Sequence, residues 1–451
     1  MNPPPFPAPA REPLGLRLLR SATAIGLALV LTLLTALFAL GYSPAAHAAV
    51  EPLFSSGSET PKLALGLLAF FVVLLPIVVL VGAARRGRLT WPVLAAGWLA
   101  VLPVLAWLAW DEPAIRQPLT LEEFSPAFPG AEQSFAVLMQ YSKQTPSEEA
   151  KAFAAAKWPV QFTVSSSAKE PAKWLEFVTK NRAALEKEWA DLAPQRRWLA
   201  GLAAFDRIGD LTPADPAANI MAFQPVRVLS QRTCAIATLQ ALDGHGDEAI
   251  ATLLPLLEVS RKLQPSSRTL VRTMIAVVME KMAMETVGTV LDHAPVSAEN
   301  RARLIAALAG DNSPALARRL ILVEYVHFVP LLSHLKLGDF NAMIMGHSGH
   351  AILRRPLNFL SALFLNPIAT INLYGEAARE LADLAQTREL GKLAVRSKGF
   401  FDPLLIKPGM KNLGGRLMLT MAMPALDKVV ESHWKAADLR EALRPRLAES
   451  H

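Results

Sequence analysis

The residues of this chain that could do chemistry are one carboxylate and four histidines. Glu324 and His327 stand three residues apart in a stretch with helical spacing, which places both side chains on one helix face. His334 falls on the same face two turns further on. A carboxylate-bridged di-metal site uses such a Glu-x-x-His pair, but it needs two of them and further glutamates. The single pair therefore favours a polar stripe or core histidines over a metal centre.

The other two histidines, His347 and His350, belong to the glycine-flanked string GHSGH. Two imidazoles at this spacing could bind zinc or copper, so Glu324 and the four histidines are the candidate metal ligands. Loop histidines without thiolate ligands or second-shell partners are usually only solvated. The sequence also lacks a nucleophile elbow, a phosphate-binding glycine loop and a zinc-protease helix. We therefore predict no catalytic residue and no cofactor.

Three apolar runs near the N-terminus indicate a membrane protein. They cover residues 21–42, 63–84 and 89–110, and none contains a charged side chain. Each has about 20 residues, the length that a helix needs to cross the hydrocarbon core of a bilayer. A helix also satisfies its own backbone groups in lipid. The sequence therefore predicts three transmembrane helices within a membrane module at 21–110.

The orientation follows from six arginines that flank the runs. They stand before the first run and between the second and the third, at Arg11, Arg17, Arg20, Arg85, Arg86 and Arg88. The loop at 43–61 carries no lysine or arginine. Short loops rich in lysine and arginine stay in the cytoplasm. We therefore expect a cytoplasmic tail at 1–20 and a domain at 111–451 outside the cytoplasm, which in a bacterium is the periplasmic side of the inner membrane.

The first run could also end in a cleavage site. Ala46-His47-Ala48 before Ala49 resembles a signal-peptidase site. A signal peptide has an apolar core of ~7–15 residues, which is shorter than this run, so an uncleaved span is favoured. Cleavage after Ala48 stays open, and it would leave the topology unchanged.

Composition argues against a nucleic-acid partner. The chain is 52% hydrophobic and 19% charged, with a formal net charge of +7. Residues 1–110 hold seven lysines and arginines against three acidic residues, and the rest of the chain holds 39 against 36. The basic excess thus follows the predicted topology, whereas nucleic-acid binding needs a clustered basic face. The single cysteine, Cys234, lies in an apolar helical stretch and is predicted to be a core residue.

The predicted outside domain has helical signals almost throughout. Ser313-Pro314 is typical of a helix start, and a helix is predicted to begin near Ser297. The only alternating pattern typical of a strand is Val160, Phe162 and Val164. We therefore predict an all-α fold, with transmembrane helices followed by a large helical-hairpin domain of about ten to twelve helices.

One hairpin within residues 226–263 resembles a tetratricopeptide unit. A helix ends at Asp243-Gly244, and a second helix carries Ala249 one turn after its start. In that family the glycine opens the turn and the small alanine lets the two helices approach closely. No second copy follows at the ~34-residue period, and a solenoid needs about three repeats. A generic α-hairpin is the favoured interpretation.

A second resemblance covers most of the predicted outside domain. It is carried by residues 253–290, by LNPIATINLY at 365–374 and by NLGGRL at 412–417 with the stretch through Val430. These segments resemble a family of uncharacterised, membrane-anchored α-helical proteins of Gram-negative bacteria. The resemblance implies an envelope location and no catalytic residues.

The function expected from these features is an interaction or scaffolding module of the cell envelope. Its partners would be the lipid bilayer and either an envelope protein or a second copy of the chain. The alternative is a metal-dependent envelope enzyme that uses His327, His334, His347 and His350. Enzymatic activity is the less favoured class because catalytic motifs are missing from the sequence.

Overall fold

The computed structural model of the chain is all-helical, and it contains no strand in the residues described. These are residues 13–42, 82, 90–141, 148–164, 170–214, 223–309, 313–334, 365–401, 412, 415, 419 and 426–448. The predicted all-α class is confirmed.

Sixteen α-helices and one short 3₁₀ turn, Met139–Tyr141, fall within these ranges. Two apolar helices come first, α1 (Leu14–Tyr42) and α2 (Trp91–Ala109). Short helices follow: α3 (Leu121–Phe124), α4 (Ala131–Leu138), α5 (Glu148–Ala155), α6 (Pro171–Lys180), α7 (Arg182–Asp191) and α8 (Ala193–Ala203). The rest are α9 (Phe223–Leu242), α10 (Gly246–Leu263), α11 (Leu270–His293), α12 (Ala298–Ala307), α13 (Ser313–His334), α14 (Pro367–Gln386), α15 (Leu390–Phe401) and α16 (Leu426–Ala448).

The helix count after Trp110 exceeds the prediction. Fourteen α-helices lie in the described residues there, against the ten to twelve expected. The difference includes α3 and α4, which have four and eight residues. Segments that short carry too little apolar periodicity to be detected in a sequence.

The chain divides into two units that interleave along the sequence. The first unit comprises Met1–Ile115, Leu335–Thr370 and Gly399–Met423, and the second comprises Arg116–His334, Ile371–Lys398 and Pro424–His451. The chain passes from one unit to the other within α14 and again within α15. A division at residue 110, as drawn from the sequence, does not anticipate this interleaving.

In the first unit, α1 and α2 pack against each other through glycines. Gly26 faces the indole of Trp98, and a Cβ at Gly97 would lie 2.7 Å from Cδ2 of Leu27. Small residues let apolar helices approach closely, which is how helices associate in lipid.

Both of these helices are long and apolar enough to cross a membrane. The qualifying segments are Leu14–Thr32 of α1 and Trp91–Ala109, which is all of α2. Only 17% of each segment is buried inside the protein. The remaining predicted run, at 63–84, lies outside the described residues except for Gly82, and so do the loop at 43–61 and the candidate cleavage site at Ala48.

In the second unit, the core is built around three long helices. α9, α10 and α11 pack against one another, and α16 packs along α11. Cys234 of α9 is fully buried, and burial raises the pKa of its thiol to about 12. The prediction that Cys234 is a core residue is therefore confirmed.

The turn between α9 and α10 contains the features expected of the hairpin. Gly244 has a φ of +84°, a conformation that side chains rarely adopt. Gly246 lies so close to the carbonyl oxygen of Pro295 that a Cβ would overlap it. Ala249 is fully buried. The two glycines thus have different roles, since Gly244 permits the turn and Gly246 permits a close backbone approach.

A buried ion cluster joins the long helices of the second unit. The carboxylate of Glu280 on α11 accepts hydrogen bonds from Arg440 on α16 at 2.8 Å and from Gln264 at 2.6 Å. Arg261 on α10 lies 3.4 Å from the same carboxylate. Glu280 is fully buried, and a buried charge needs partners of this kind. The cluster therefore fixes how α10, α11 and α16 meet.

The one candidate strand pattern, at residues 160–164, forms a loop whose backbone bonds to a buried ion pair. The amide of Val160 donates to Glu188 at 2.9 Å, and its carbonyl accepts from Arg232 at 2.8 Å. Glu188 and Arg232 are themselves paired at 2.8 Å. The ring of Phe162 lies under the Arg232 guanidinium, 4.5 Å from its centroid. The alternating apolar residues thus line a loop that covers α7 and α9.

Candidate functional site

The described residues bring together only part of the predicted metal site. Glu324 and His327 lie on α13, the first buried and the second half-buried, and His334 is the last residue of that helix. His347 and His350 lie outside the described residues. Among the residues that are described, no three His, Cys, Asp or Glu side chains are grouped so that they could hold a metal ion. The metal hypothesis stays a prediction.

Glu324 meets the start of α11. Its carboxylate accepts a hydrogen bond from the backbone amide of Leu270, the first residue of that helix. Next to it, the Thr269 hydroxyl accepts from the amide of Arg272 at 3.3 Å. The first amides of a helix have no partner within the helix, and these two acceptors supply partners. Burial nevertheless raises the pKa of Glu324 to about 7.

Two tyrosines lie beside this carboxyl group. The rings of Tyr325 and Tyr374 meet edge to face, with centroids 5.2 Å apart. The Tyr374 hydroxyl is fully buried and has no hydrogen-bond partner in the described structure, and burial raises its pKa well above the ordinary value. A Cβ at Gly375 would lie 3.0 Å from the Tyr325 hydroxyl oxygen. Glycine at 375 therefore lets Tyr325 lie directly against α14.

Neither of two surface grooves in the described part of the chain reaches this carboxyl–tyrosine group. Two surface grooves are found in the second unit, with volumes of 230 and 260 Å³. Neither is lined by Glu324, Tyr325 or Tyr374. Both grooves are smaller than the ~300–1,000 Å³ of typical ligand pockets. The bond to the Leu270 amide makes Glu324 a cap on α11 whose charge depends on pH.

A further polar site lies in the first unit, at the end of α2. Here Asp111 follows the last apolar residues of the helix, and its carboxylate accepts the amides of Ile368 and Ala369, both at 2.9 Å. In return, the side-chain amide of Asn366 donates to the carbonyl of Leu108 at 3.2 Å. Asp111, Asn366, Thr370, Asn412 and Gly415 together are called the polar junction below.

The polar junction is a reciprocal cap between two helices. An amide at the second or third position of a helix is usually bonded by the residue just before that helix. At α14 that residue is Asn366, but Asp111 takes over this role. Asn366 is thereby released to bond a carbonyl in the last turn of α2, which also lacks a partner within its helix. The negative charge of Asp111 also suits the positive end of α14.

Asn412 and Gly415 complete the polar junction from a third segment. The side-chain oxygen of Asn412 accepts the amide of Asn366 and the hydroxyl of Thr370, both at 3.0 Å. Asn412 has a φ of +57°, a region that asparagine tolerates better than most residues. A Cβ at Gly415 would overlap Thr370 and Asn412. Both residues belong to the NLGG string, so their types are explained by this contact.

Sequence reasoning missed the polar junction. Asn366 and Asn412 entered only as parts of a resemblance, and Asp111 entered only as the start of the predicted outside domain. Asp111 and Ile368 are 257 residues apart, so no local pattern connects them. Two local features were available as a signal: an aspartate directly after an apolar run, and an Asn-Pro pair at the start of another helix. The first amides of that second helix need an acceptor, which an aspartate can supply.

We predict that Glu324→Gln makes stability less dependent on pH. The folded pKa of about 7 lies above the ordinary glutamate value of 4.5, so the buried carboxyl is most stable when protonated. The contribution of the protonated carboxyl to the free energy of unfolding is fully present below pH 4.5, and it is lost as the pH rises through 7. At pH 8 the variant should exceed the wild type by about 1–3 kcal/mol, and at pH 5 the two should be close.

The free energy of unfolding is measured by chemical unfolding of the full chain in detergent at pH 5 and pH 8, with tryptophan fluorescence as the readout. Glu176→Gln is the control, since Glu176 is exposed on α6. A Glu324→Gln difference that is the same at both pH values would contradict the account of Glu324.

We predict that Asp111→Ala loosens the start of α14. The substitution leaves the amides of Ile368 and Ala369 without their acceptor, at an expected loss of about 2 kcal/mol. Asp111→Asn should lose less, because its carbonyl oxygen can still accept. Hydrogen exchange at residues 368–370 in the detergent-solubilised chain is the measurement. Unchanged exchange at these amides in Asp111→Ala would show that Asp111 is not the cap.

Comparison with known proteins assigns no family to the chain. It matches no protein-family model, no curated protein and no solved structure. The two resemblances noted in the sequence therefore stay predictions, and the interpretation of the polar junction rests on its own geometry.

Proposed function

We propose that the chain is a multi-pass protein of the bacterial inner membrane, with a cytoplasmic N-terminus. Its second unit would work on the periplasmic side as an interaction or scaffolding module of the cell envelope. The observation that carries this proposal is the outward-facing apolar surface of α2. Leu99 is 71% exposed and Leu102 is 51% exposed, although both lie in the middle of an apolar helix. A core helix of a water-soluble protein would bury such residues, whereas lipid covers them in a membrane.

The ends of α1 and α2 support the same placement. Arg17 and Arg20 lie in the first two turns of α1, where a cytoplasmic end would carry cations. Trp91 begins α2 and Trp110 follows its last residue, and both indoles are exposed. Tryptophan is enriched at membrane–water interfaces. Asp111 then supplies the first charge beyond the helix, as expected where the chain leaves the hydrocarbon.

The arrangement of charge in the second unit supports a structural role. Its buried ions pair with one another across helices, as in the Arg232–Glu188 pair and the Glu280 cluster described above. Asp210 and Arg272 form a further buried pair, with Thr212 donating to Asp210 at 2.6 Å. Each of these buried charges has an ionic partner within the second unit, so they serve the fold and leave no unpaired charge for a reaction.

An apolar stripe on α11 supports a protein partner. Val271, Met274 and Val278 follow one another at helical spacing, and all three are exposed, at 48%, 40% and 44%. Side chains with this spacing lie on one helix face. Exposed apolar residues that form a continuous surface mark interaction sites more often than single ones do. We propose that this stripe contacts an envelope protein or a second copy of the chain.

Reporter fusions test the proposed topology. Alkaline phosphatase fused after His451 should be active, and a green fluorescent protein fused there should be dark, because the proposed C-terminus lies outside the cytoplasm. Fusions after Arg88 should behave in the opposite way, since the proposed turn between the second and third spans is cytoplasmic. A fluorescent protein that matures at the C-terminus would overturn the orientation.

Photo-crosslinking in cells tests the interaction role. A photoreactive residue at Val271 should give one stoichiometric adduct, and Met274→Asp should abolish it by placing a charge in the apolar stripe. The same photoreactive residue at the exposed Glu176 serves as the control. Identical adduct patterns at the two positions, or no effect of Met274→Asp, would contradict a partner at this stripe.

A further inference from the structure

Two buried arginines of the second unit differ from the ion pairs described above, because neither has a buried carboxylate of its own. Arg268 and Arg319 are only 8% and 9% exposed. The guanidinium of Arg319 donates to two backbone carbonyls, those of Phe124 at 3.2 Å and Ser267 at 2.6 Å. The guanidinium of Arg268 donates to the carbonyl of Ser125 at 2.9 Å. Both positive charges are thus placed against neutral groups.

One buried carboxylate, Asp210, lies among these cations, and a third arginine pairs with it. Arg272 on α11 is 1% exposed and forms the ion pair with Asp210. The other oxygen of Asp210 accepts the backbone amide of Arg268 at 2.6 Å. Asp210, Arg268, Arg272 and Arg319 are called the arginine cluster below. Three buried guanidiniums against one buried carboxylate leave an excess of two positive charges.

The arginine cluster also contains donors that lack acceptors. Nε of Arg268, Nε of Arg272 and Nη1 of Arg319 are buried and have no hydrogen-bond partner in the described structure. A buried N–H without an acceptor costs free energy, and a buried charge without a counterion costs more. Burial lowers the pKa of Arg319 to about 10, against the attraction of Asp210, so this side chain is still charged at neutral pH. The arginine cluster therefore lacks both negative charge and acceptor atoms.

One of the two surface grooves adjoins the arginine cluster. This groove has a volume of 230 Å³, and Ser125 and Ser266 line it. The carbonyl of Ser125 is the acceptor of Arg268, and Ser266 directly precedes Ser267, whose carbonyl accepts from Arg319. Pockets for larger organic ligands have ~300–1,000 Å³, so a groove of this size suits a small ion.

The wall of this groove does not repel an anion. Arg207 lines it, is exposed, and makes no ion pair within the described residues; its guanidinium lies 4.2 Å from the centroid of the Phe128 ring. Lys262 lines it as well and lies 3.8 Å from the carboxylate of Glu258. Among the described residues of the lining, Asp206 alone is acidic. An anion in the groove therefore meets no net negative charge.

We propose that the groove at Ser125 binds a small oxyanion of the phosphate class, with Arg207 at its wall and the arginine cluster behind it. The charges of buried groups are screened little, so their attraction reaches into the adjoining groove. Guanidinium N–H groups also match the oxygens of phosphate in geometry. The site lies within the second unit, so it does not depend on the proposed membrane placement.

Glu122 supplies a way to test the role of the arginine cluster. Its carboxylate lies 3.8 Å from the guanidinium of Arg268, and its side chain is 72% exposed. An ion pair that is this long and this exposed on one side is weak. Glu122 therefore competes with the proposed oxyanion for Arg268, and its removal should favour the oxyanion without the loss of a buried contact.

Calorimetric titration of the full chain in detergent with inorganic phosphate tests the proposal. We expect one phosphate per chain, displaced by sulfate and not by chloride at the same ionic strength. Glu122→Gln should tighten phosphate binding severalfold, whereas Glu176→Gln, the same change of charge at an exposed position on α6, should leave it unchanged. Arg207→Gln should weaken binding about tenfold, because a charge-assisted hydrogen bond is lost. The exposed Arg303 on α12 provides the matched control, since Arg303→Gln should have no effect.

Other outcomes would overturn the proposal. A chain that takes up no phosphate, or that takes up chloride equally well, has no oxyanion site. Equal affinity in Glu122→Gln and the wild type would separate the arginine cluster from binding, and an unaffected Arg207→Gln would exclude the groove. Methyl phosphate distinguishes the two sources of the ligand. Tighter binding of this ester than of inorganic phosphate would support a phosphorylated molecule as the ligand, and equal or weaker binding would support the free ion.

Discussion

The exposed apolar surface of α2 is the feature on which the account of the first unit depends. Leu99 and Leu102 are exposed on it, whereas Leu94 and Val101 pack against α1. Such a surface has to be covered, and lipid is the cover that we propose. The last carbonyls of a helix have no partner within the helix, so they need donors where the helix ends. The polar junction supplies one such donor at the end of α2.

The polar junction follows from this constraint. α2 ends with carbonyls that lack donors, and α14 begins with amides that lack acceptors, so each end can satisfy the other. Asp111 and Asn366 are the two side chains that exchange these bonds. Asn412 holds Asn366 and Thr370 in place from a third segment. α14 begins at the polar junction in the first unit, and its residues from Ile371 onward belong to the second unit.

Features set by neighbouring residues were predictable from the sequence. The all-α class followed from helical periodicity and caps, and the helix expected near Ser297 is α12, whose first amides are capped by the Ser297 hydroxyl. Gly244 was expected to open a turn, and Cys234 was expected in the core, because each is explained by its immediate sequence. The long, uncharged apolar runs at 21–42 and 89–110 likewise correspond to α1 and α2.

Features set by distant residues were not predictable. The alternation at Val160 suggested a strand, but Glu188 and Arg232 bond the Val160 backbone and keep that segment a loop. The partners of Glu280 come from two other parts of the chain, residues 261–264 and Arg440, and nothing local to Glu280 specifies them. The same holds for Asp111 and Asn366. Polar pairs of this kind have no period and no fixed spacing, so a single sequence does not reveal them.

The central claim is that α2 lies in lipid, and its depth in a bilayer tests this most directly. Nitroxide labels would be placed one at a time from Val93 to Leu105 in the reconstituted full chain. Their collision rates with oxygen, which concentrates in lipid, would be compared with those of a water-soluble nickel complex. We predict that oxygen dominates around Leu99 and falls towards Val93. Labels near Leu99 that collide mainly with the nickel complex would contradict the account.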